Sequence, residues 1–591
     1  MEICPKILLE TVRDLGHLGW KAQADFGLSM PIPKFLLKEA IVAKPGFNRW
    51  LVPPASIAIH LCIGSVYAWS VFNTPLSREL GVVGEAAGDW KFGNIVWIFS
   101  IAIVFLGLAA AVAGRWLEKV GPRCVGVTAA LLWGGGFLVG CLGIKLHSLP
   151  LLYLGYGVLG GCGLGLGYVS PVSTLIRWFP DRRGLATGLA IMGFGGGAMI
   201  GAPLKRYLLG TFEEAPKYLG TEESVNLVTE DGVRFAETGA GKEEVIVASA
   251  TEAASLGPGM EAGVYSVGTG STGTASTFLV LGLLYLVVML AAAFAYRVPA
   301  PDWKPDGWDP EKGSSKKGMI SQNDVGISGA MKTPQFWFLW VVLCMNVTAG
   351  IGVIGVAKTM IGEIFGTQMS AEAKEGFFFV NYVLMISVFN MVGRFFWASI
   401  SDWIGRKSTY TIFFVLGCAL YLSIPWAAAN AGASAMSTSF IVFYAATMII
   451  FTMYGGGFAT IPAYLADMFG SKYVGAIHGR LLTAWSTAGV LGPVAIAKLR
   501  EASISKSIND LAAKVNESDF EGKFGAPLSK LDELVAAKTV TVQKLMELAP
   551  EGTVDPTPGL YNTTMYTMAG LLVIGLVANL LVKPVDKKHH L

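Results

Sequence analysis

The chain has 591 residues, of which 53% are hydrophobic and 15% charged, and its mean hydropathy is +0.54. These values exclude an ordinary soluble globular protein and indicate a membrane protein. The net charge of +3 is too small for a chain of this size to suggest a nucleic-acid partner, and the seven cysteines include no C-x-x-C pair that would predict a disulfide framework or a metal site.

The chain begins with a charged segment, residues 1–50, which lacks the basic start, apolar core and cleavage site of a signal peptide. We predict that it is a cytoplasmic tail. Twelve apolar runs follow, each long enough at about 1.5 Å per residue to cross a hydrocarbon core roughly 30 Å thick. The predicted spans are 52–73, 93–113, 124–143, 150–176, 184–205, 275–297, 334–357, 376–400, 407–428, 437–465, 476–498 and 562–582.

These spans form two sets of six, an N-terminal half (51–297) and a C-terminal half (334–582), joined by a linker (298–333) and followed by a short tail (583–591). The short loops on one side of the membrane hold eleven Lys and Arg residues, against five on the other side. Lys and Arg favour the cytoplasmic face. We therefore predict a multi-pass protein of the cytoplasmic (inner) membrane, with the linker and both termini in the cytoplasm.

Two longer inserts interrupt the halves at equivalent places on the extracytoplasmic side, residues 206–274 and 499–561. The first insert holds eleven acidic and four basic residues, and its stretch VNLVTEDGVRFAE predicts short strands joined at a D-G turn. The second insert has helical spacing. We predict two small outward-facing caps, and the alternative for the first is a poorly ordered acidic loop.

The two halves repeat one another in sequence. GRWLEKVGPR after span two corresponds to ASISDWIGRK after span eight, which pairs Glu118 with Asp402 and Gly121 with Gly405. An offset of 291 aligns one proline and three glycines across spans four and five. Internal duplication of a six-span unit is typical of secondary transporters, which hold substrate near the membrane midplane between the two repeats.

Five stretches carry a resemblance to a known family. They are GSVYAWSVFNTPL in span one, GRWLEKVGPR, GLGLGYVSPVSTLIRWFPDRRGLATG across spans four and five, NMVGRFFWASISDWIGRK, and MYGGGFATIPAYLADMFG in span ten. In them the chain resembles the oxalate/formate antiporter family of the major facilitator superfamily, outside the tail and the inserts. The resemblance implies an all-α membrane fold of twelve helices in two pseudo-symmetric six-helix halves. It also implies transport of small carboxylates by alternating access.

Arg394 is a charged residue inside span eight. It lies eight residues before Asp402, hence about 12 Å inside the helix end, where an arginine costs at least about 2.5–3.5 kcal/mol on insertion scales. No Asp or Glu within a span is an evident partner. We expect its fork of donors to bind a substrate carboxylate, oriented by Asn390 one turn earlier. The alternative is a guanidinium tied to backbone carbonyls or extended toward the membrane surface.

The resemblance also bears on the substrate. Oxalate-specific members of the family carry a lysine in span eleven, where this chain has Trp485 within LLTAWSTAG. One central cation balances one carboxylate, so we predict a monocarboxylate such as formate, acetate, lactate or pyruvate. Tyr67, Trp69, Tyr168 and Tyr454 match family positions whose aromatic side chains enclose the substrate, although each of them, like Trp485, fits helix packing equally well.

The candidates for carrying a proton near neutral pH are His60 in span one and His478 at the start of span eleven. A single membrane histidine is more often a packing residue, so antiport, proton-coupled symport and uniport all stay open.

Charged loop residues near helix ends are suited to hold the two halves together on the cytoplasmic side until they rock apart. The predicted gate residues are Arg115, Glu118, Arg123, Asp402 and Arg406.

The sequence shows no nucleophile–base pair, metal cluster or phosphate loop, so we predict neither an enzyme nor a cofactor or metal. The predicted partners are a small carboxylate, the lipid bilayer and, for symport, protons, and the resemblance makes a monomer the default. Three alternatives remain. They are an oxalate or dicarboxylate exchanger, a sugar or drug carrier of the same superfamily, and a transporter-derived sensor that binds without flux.

Overall fold

The computed structural model describes residues 32–179, 183–238, 241–249, 261–300, 303–305, 324–434, 436–470 and 473–590. These residues form a bundle of long helices with a small sheet and a group of short helices at one end. Eleven helical segments of the described chain are long and apolar enough to cross a membrane, and Arg183–Phe212 is a further helix of 30 residues. The prediction of a helical, multi-pass membrane protein is confirmed.

Twelve helices, numbered here in chain order, build the bundle. They are α1 (Val52–Gly64), α2 (Phe92–Val120), α3 (Pro122–Lys145), α4 (Gly161–Trp178), α5 (Arg183–Phe212), α6 (Thr274–Ala295), α7 (Pro334–Phe365), α8 (Tyr382–Ile404), α9 (Arg406–Ala429), α10 (Thr438–Phe469), α11 (Thr483–Ala512) and α12 (Asn562–Leu581). The α1 extension, residues 65–77, continues the first helix as a 3-10 helix and a short α-helix.

Helix α11 differs most from its predicted bounds. Hydropathy ends the span at residue 498, but the helix continues to Ala512. The sequence turns polar beyond Lys498 without glycine or proline up to Ala512, so apolar character is lost while helix propensity is kept. The first part of the second insert is therefore a continuation of a bundle helix.

The two halves turn in the same way after their second helix. Helix α2 ends at Gly121 with φ of +89°, and α8 ends at Gly405 with φ of +87°. Glycine adopts this left-handed backbone region without the steric cost that other residues meet. The sequence repeat that pairs these two glycines thus corresponds to one shared helix–helix corner.

Both inserts lie at the same end of the bundle, which we call the cap side. The first contains five antiparallel strands, in the order β1-β5-β4-β3-β2. They are β1 (Tyr218–Gly220), β2 (Leu227–Glu230), β3 (Val233–Thr238), β4 (Gly241–Ala248) and β5 (Gly263–Ser266). Asp231 and Gly232, with φ of +49° and +79°, form the two-residue turn between β2 and β3, as the D-G pair predicts.

Each cap has its own apolar core. The second cap contains the helices Glu517–Phe524, Leu531–Ala536 and Val542–Leu548, which pack around a cluster that includes Phe520 and Leu545. The apolar side chains of the sheet form separate clusters. The caps are therefore two small folding units that belong to different halves of the bundle.

The most extensive contacts between the halves are those of α2 with α11, α5 with α8, and the α1 extension with α7. Between α5 and α8, the Ser387 hydroxyl donates to the Gly195 carbonyl at 2.7 Å. Toward the cap side, Asn73 Nδ2 of the α1 extension donates to the Gly355 carbonyl of α7 at 2.8 Å. This last contact joins the two halves on the cap side of the bundle.

Candidate binding site around Arg394

Arg394 lies in the middle of α8 at the boundary between the two halves, and it is 5% exposed. Its Nε donates to Asn390 Oδ1 at 3.3 Å, and its Nη1 donates to the Ile191 carbonyl of α5 at 3.2 Å. The Cζ atom lies 5.6 Å from the ring centre of Phe458 in α10. The guanidinium is thus held by groups from both halves.

Among the residues that the structure describes, no Asp or Glu oxygen lies within 4.0 Å of Arg394. A partly buried arginine of the bundle does have such a partner, since Arg500 Nε donates to Glu363 Oε2 at 2.8 Å. A buried cation is unfavourable unless an anion or aligned dipoles compensate its charge. The bonds of Arg394 to Asn390 and Ile191 use two of its five N–H donors, which leaves donors for an anionic ligand.

Two buried donors of this region lack a partner in the described part of the chain: Nδ2 of Asn390, the residue bonded to Arg394, and Nε1 of Trp485. Asn390 is fully buried and Trp485 is 1% exposed. A buried donor without a hydrogen bond costs about 1–3 kcal/mol, so a ligand oxygen that accepts from it would be favourable. Beside a guanidinium, both donors are suited to the oxygen atoms of an anion.

The three predicted tyrosines pack on the aromatic rings of this region: the Tyr454 ring centre lies 5.4 Å from that of Phe458, and those of Tyr67 and Tyr168 lie 5.1 and 5.5 Å from that of Phe194. The hydroxyl oxygens of Tyr67 and Tyr454 are 3.1 Å apart. Because Tyr67 belongs to the α1 extension and Tyr454 to α10, this hydrogen bond joins the two halves beside the guanidinium.

Trp485 packs among aromatic rings from both halves. Its centroid lies 4.7 Å from that of Phe458, 5.6 Å from Phe194 and 5.8 Å from Tyr168. Since Arg394 also contacts the Phe458 ring, the aromatic group and the guanidinium form one continuous site at the centre of the bundle.

The structure places Trp69, a predicted substrate-binding residue, away from Arg394. The Trp69 ring packs on Phe72 and Tyr156 inside the N-terminal half, with centroid distances of 5.7 and 4.5 Å. His478 lies in the helix Val474–Leu481, seven residues before Trp485. We therefore do not include Trp69 in the binding site, and a role for His478 in proton movement stays a prediction.

His60 lies beside the site and is fully buried. Its Nε2 donates to the Tyr168 carbonyl at 3.1 Å, and its ring stacks on the Tyr168 ring at 5.6 Å. A role for His60 in proton movement stays a prediction. The described residues contain no group of three or more His, Cys, Asp or Glu that could hold a metal ion.

Of the predicted gate residues in the N-terminal half, only Arg123 has a described side chain, since those of Arg115 and Glu118 lie outside the described residues. Arg123 donates to the carbonyls of Phe35 and Phe294, each at 3.0 Å. These bonds join the N-terminal segment and α6 to α3. They lie within one half.

In the C-terminal half, Arg406 forms ion pairs with Asp402 and with Asp467, the latter at 3.5 Å. All three residues belong to the same half. The described bonds of Arg123, Asp402 and Arg406 thus stabilise helix ends within each half, and a gating role stays a prediction.

Sequence reasoning missed Phe194, Phe458 and Lys205. The two phenylalanines carry no sequence signal, because aromatic residues are ordinary in apolar spans. Lys205 is fully buried, whereas the predicted span ended at this residue. One signal could have placed the lysine inside a helix. The apolar stretch YLL follows Lys205 and Arg206, and α5 continues through it to Phe212.

Comparison with known proteins gives three findings. A family model described as the Major Facilitator Superfamily matches residues 55–213 and 247–493. The oxalate:formate antiporter of Oxalobacter formigenes is 24% identical over 75% of this chain and 83% of its own, and apicoplast pyruvate carrier 1 of Toxoplasma gondii is 22% identical over 72% and 78%. A bacterial homologue of the human lysosomal transporter Spinster, in an inward-facing and unoccupied conformation, matches 93% of this chain and 99% of its own, with a TM-score of 0.55 and 14% identity. The resemblance seen in the sequence is confirmed.

Proposed function

Because the chain belongs to the major facilitator superfamily, whose members are secondary transporters and not enzymes, we propose that it carries small monocarboxylates such as formate, acetate, lactate or pyruvate by alternating access. The observation that supports this most is the Arg394 guanidinium, which is buried between the halves without a carboxylate partner in the described chain. The substrate then supplies the missing negative charge.

The neighbours of Arg394 suit a carboxylate. The bond from Nε to Asn390 Oδ1 fixes the plane of the guanidinium, so that the Nη groups can donate to the two substrate oxygens. Asn390 Nδ2 and Trp485 Nε1, which lack partners among the described residues, would donate to the same oxygens. The aromatic rings around Trp485 would pack on the carbon end of the substrate.

The same site disfavours a dicarboxylate. One described cation, Arg394, lies among the aromatic rings, and Trp485 stands where oxalate-specific members of the resembling family have a lysine. A second carboxylate would therefore lose its hydration without gaining a positive partner. The two relatives named above, an oxalate:formate antiporter and a pyruvate carrier, support small carboxylates as the substrate class without deciding between one and two charges.

The site also suits a cycle in which the halves rock against each other. Arg394 of the C-terminal half is bonded to Ile191 of the N-terminal half, and Tyr67 is bonded to Tyr454 across the same boundary. A carboxylate that takes over these donors would change the contacts between the halves, which couples binding to rearrangement. We place the termini in the cytoplasm and the caps outside, on the distribution of Lys and Arg in the loops.

Counterflow in proteoliposomes tests the proposal. Vesicles loaded with a monocarboxylate should take up labelled formate or lactate faster than empty vesicles do, with oxalate a weak competitor and glucose none. Recording the internal pH separates proton-coupled symport from exchange. Preferred counterflow of oxalate would establish a dicarboxylate exchanger, uptake of a neutral sugar would establish a sugar carrier, and carboxylate binding without flux would establish a sensor.

A further inference from the structure

Three basic side chains lie on the cap side of Arg394: Lys205 and Arg206 of α5, and Lys358 of α7. The Gly195 backbone of α5 faces the guanidinium, since a Cβ added there would lie 2.8 Å from Arg394 Nε. Lys205 follows ten residues later in the same helix, which corresponds to about 15 Å toward the cap side. The three cations are therefore between the central site and the caps.

Lys205 contacts the broken part of the first span. Its Nζ donates to the carbonyls of Ser65 at 2.8 Å and Ala68 at 3.3 Å, and lies 4.7 Å from the Phe72 ring centre. Ala68 has non-helical backbone angles, with φ of −95° and ψ of +24°, so the break leaves carbonyls that need a donor. These partners are neutral.

Arg206 and Lys358 come from opposite halves and contact the same short segment. Arg206 Nη2 donates to Asn381 Oδ1 at 2.8 Å, and Lys358 Nζ lies 5.1 Å from the ring centre of Phe379. Lys358 is also one helical turn beyond Gly355, which accepts the bond from Asn73 between the two halves.

In the described chain, no carboxylate oxygen lies within 4.0 Å of Lys205, Arg206 or Lys358. Glu363, one to two turns beyond Lys358 in α7, is already bonded to Arg500. A group of cations inside a membrane protein is unfavourable unless an anion offsets it during the working cycle. These three cations, like Arg394, would therefore be stabilised by an anionic ligand.

We infer that Lys205, Arg206 and Lys358 form a second anion site, an outer station that takes the small carboxylate between the cap-side opening and Arg394. This inference rests on the proposed function. When the halves separate at the cap side, the bond from Arg206 to Asn381 is released, and the cations attract an anion into the route.

Uptake kinetics in membrane vesicles of both orientations test this station, with ionic strength varied only outside. The initial rate at formate concentrations far below half-saturation is measured between about 20 and about 300 mM KCl. With the cap side outside, the wild-type rate should fall about fivefold or more as salt screens the cations. R206Q/K358Q should start about fivefold lower and change less than about twofold, and the charge-retaining pair R206K/K358R should restore the wild-type response.

Each other outcome is decisive. Wild-type rates and salt response in R206Q/K358Q, with flux lost in an Arg394 variant, would overturn the outer station and leave the proposed function intact. Loss of flux in both R206Q/K358Q and R206K/K358R would also overturn the outer station, because the positive charges would then not account for the loss. A wild-type chain that moves no carboxylate would overturn both the outer station and the proposed function.

A second observation stands apart from the substrate route: the two caps bond to each other across the halves. Thr229 Oγ1 of the sheet cap donates to the Phe524 carbonyl of the helical cap at 2.9 Å. Lys523 Nζ of the helical cap lies 3.2 Å from Glu222 Oε2 of the sheet cap. The first cap belongs to the N-terminal half and the second to the C-terminal half, so these bonds bridge the moving parts.

Lys538 of the helical cap adds a bridge to the loop between the α1 extension and α2. Its Nζ lies 3.2 Å from Glu85 Oε2 and donates to the Asp89 carbonyl at 3.0 Å. The Asp89 carboxylate in turn accepts the backbone N–H groups of Leu80 and Ala86 at 2.7 and 2.8 Å. The bridge therefore ends on an ordered loop of the N-terminal half.

The interface between the caps is polar and incompletely packed. The apolar clusters lie within each cap, and a cleft between the caps, open to solvent, is lined by charged residues such as Glu222, Arg234 and Lys523. Polar interfaces of this kind separate more readily than a shared apolar core. We infer that the caps are a clasp that holds the cap side shut and must part for that side to open.

Distances between spin labels on the two caps test the clasp. Labels are placed at Lys217→Cys and Glu551→Cys, both exposed, after replacement of the seven native cysteines. K523Q/K538Q should at least double the fraction of molecules with the longer distance. K530Q is the matched control, since Lys530 pairs with Glu533 inside its own cap, and K523R/K538R should keep the wild-type distribution. Equal distributions in K523Q/K538Q and K530Q would overturn the clasp.

Discussion

In α8, Asn390 Oδ1 accepts the Nε–H of Arg394 at 3.3 Å from one helical turn earlier. The bond orients the guanidinium and keeps its charge, because an amide is neutral. A carboxylate at the same position would orient the guanidinium equally well and would also neutralise it. The identity of residue 390 therefore decides whether Arg394 can attract a substrate anion.

Asn390→Asp should make transport depend on pH. With the aspartate ionised, it competes with the substrate for Arg394, and we expect the half-saturation concentration at pH 7.5 to rise about tenfold. Protonation of the aspartate at lower pH removes the competitor, so the variant should recover toward pH 5.5. Initial rates across this range measure both effects. Asn390→Ser, which stays neutral, is the control. If Asn390→Asp has the wild-type half-saturation concentration at pH 7.5, residue 390 does not compete with the substrate for Arg394.

Arg394→Lys should lose transport although the positive charge is kept. A lysine cannot donate two parallel hydrogen bonds to a carboxylate, and the loss of a charged hydrogen bond of about 1.5–3 kcal/mol corresponds to about 10- to 100-fold in uptake. Arg297→Lys is the matched control, because Arg297 donates only to the backbone carbonyls of Phe294 and Tyr296 in the described chain. Formate or lactate uptake in Arg394→Lys within twofold of Arg297→Lys would refute bidentate binding.

Trp485→Lys should shift the selectivity toward dicarboxylates. The substitution places a second cation against Phe458, whose ring contacts Trp485 at 4.7 Å and the guanidinium at 5.6 Å. We expect oxalate to compete about tenfold better relative to formate than in the wild type. Trp485→Phe keeps the apolar ring and should not change the ratio. Competition of both anions against labelled formate measures it, and an unchanged ratio in Trp485→Lys would show that residue 485 does not face the substrate.

The sequence alone was sufficient to predict the helical bundle and the cation at its centre, Arg394. Long apolar runs fix the helices because backbone polar groups in lipid must be bonded within a helix, and Arg394 stands out because a charge in such a run is costly. The turn at Asp231 and Gly232 was also predictable, because a D-G pair favours a two-residue turn with positive φ at both positions. Both residues adopt positive φ in the structure.

The neighbours of Arg394 depend on contacts between distant spans. Phe194 and Phe458 meet Trp485 from α5 and α10, and neither position is marked in an apolar run. Lys205 was placed at a membrane surface, because hydropathy alone cannot show that the broken first span offers it two backbone carbonyls. Trp69 matches a family position, but its ring packs within the N-terminal half. A shared position therefore did not fix the direction of that side chain.

Glu79, beside the first cap, should make stability depend on pH. Burial raises the pKa of Glu79 to about 7 from the ordinary value of 4.5, the nearby Asp89 carboxylate adds to the rise, and hydrogen bonds from Thr272 and Thr274 oppose it. Between these two pH values the folded chain binds a proton that the unfolded chain does not, so stability falls as pH rises and the loss is complete above about pH 7.

Glu79→Gln removes this titration. The variant should unfold at a higher temperature than the wild type at pH 8 and at nearly the same temperature at pH 4, as measured by thermal unfolding in detergent. Glu223→Gln, at an exposed position of the first cap, is the control and should show no such difference. A Glu79→Gln variant less stable than the wild type at pH 8 would mean that the ionised carboxylate is favourable in the fold.

Gly195→Ala should weaken substrate binding by displacing Arg394. A Cβ at residue 195 would lie 2.8 Å from Arg394 Nε and 3.4 Å from both Cδ and Cζ, so the whole guanidinium must move. Because alanine is a better helix former than glycine, helix propensity opposes any loss of stability, while overpacking costs about 1–3 kcal/mol. We expect the half-saturation concentration for formate to rise about tenfold.

Gly210→Ala in the same helix separates the gain in helix propensity from the displacement of the Arg394 guanidinium. A Cβ at residue 210 meets no heavy atom within 4 Å, so this variant gains helix propensity without touching the guanidinium and should transport as the wild type does. Thermal unfolding of both variants shows whether Gly195→Ala remains folded. Wild-type half-saturation in a folded Gly195→Ala would mean that the position of the guanidinium between α5 and α8 is not critical, and that substrate binding depends on other donors.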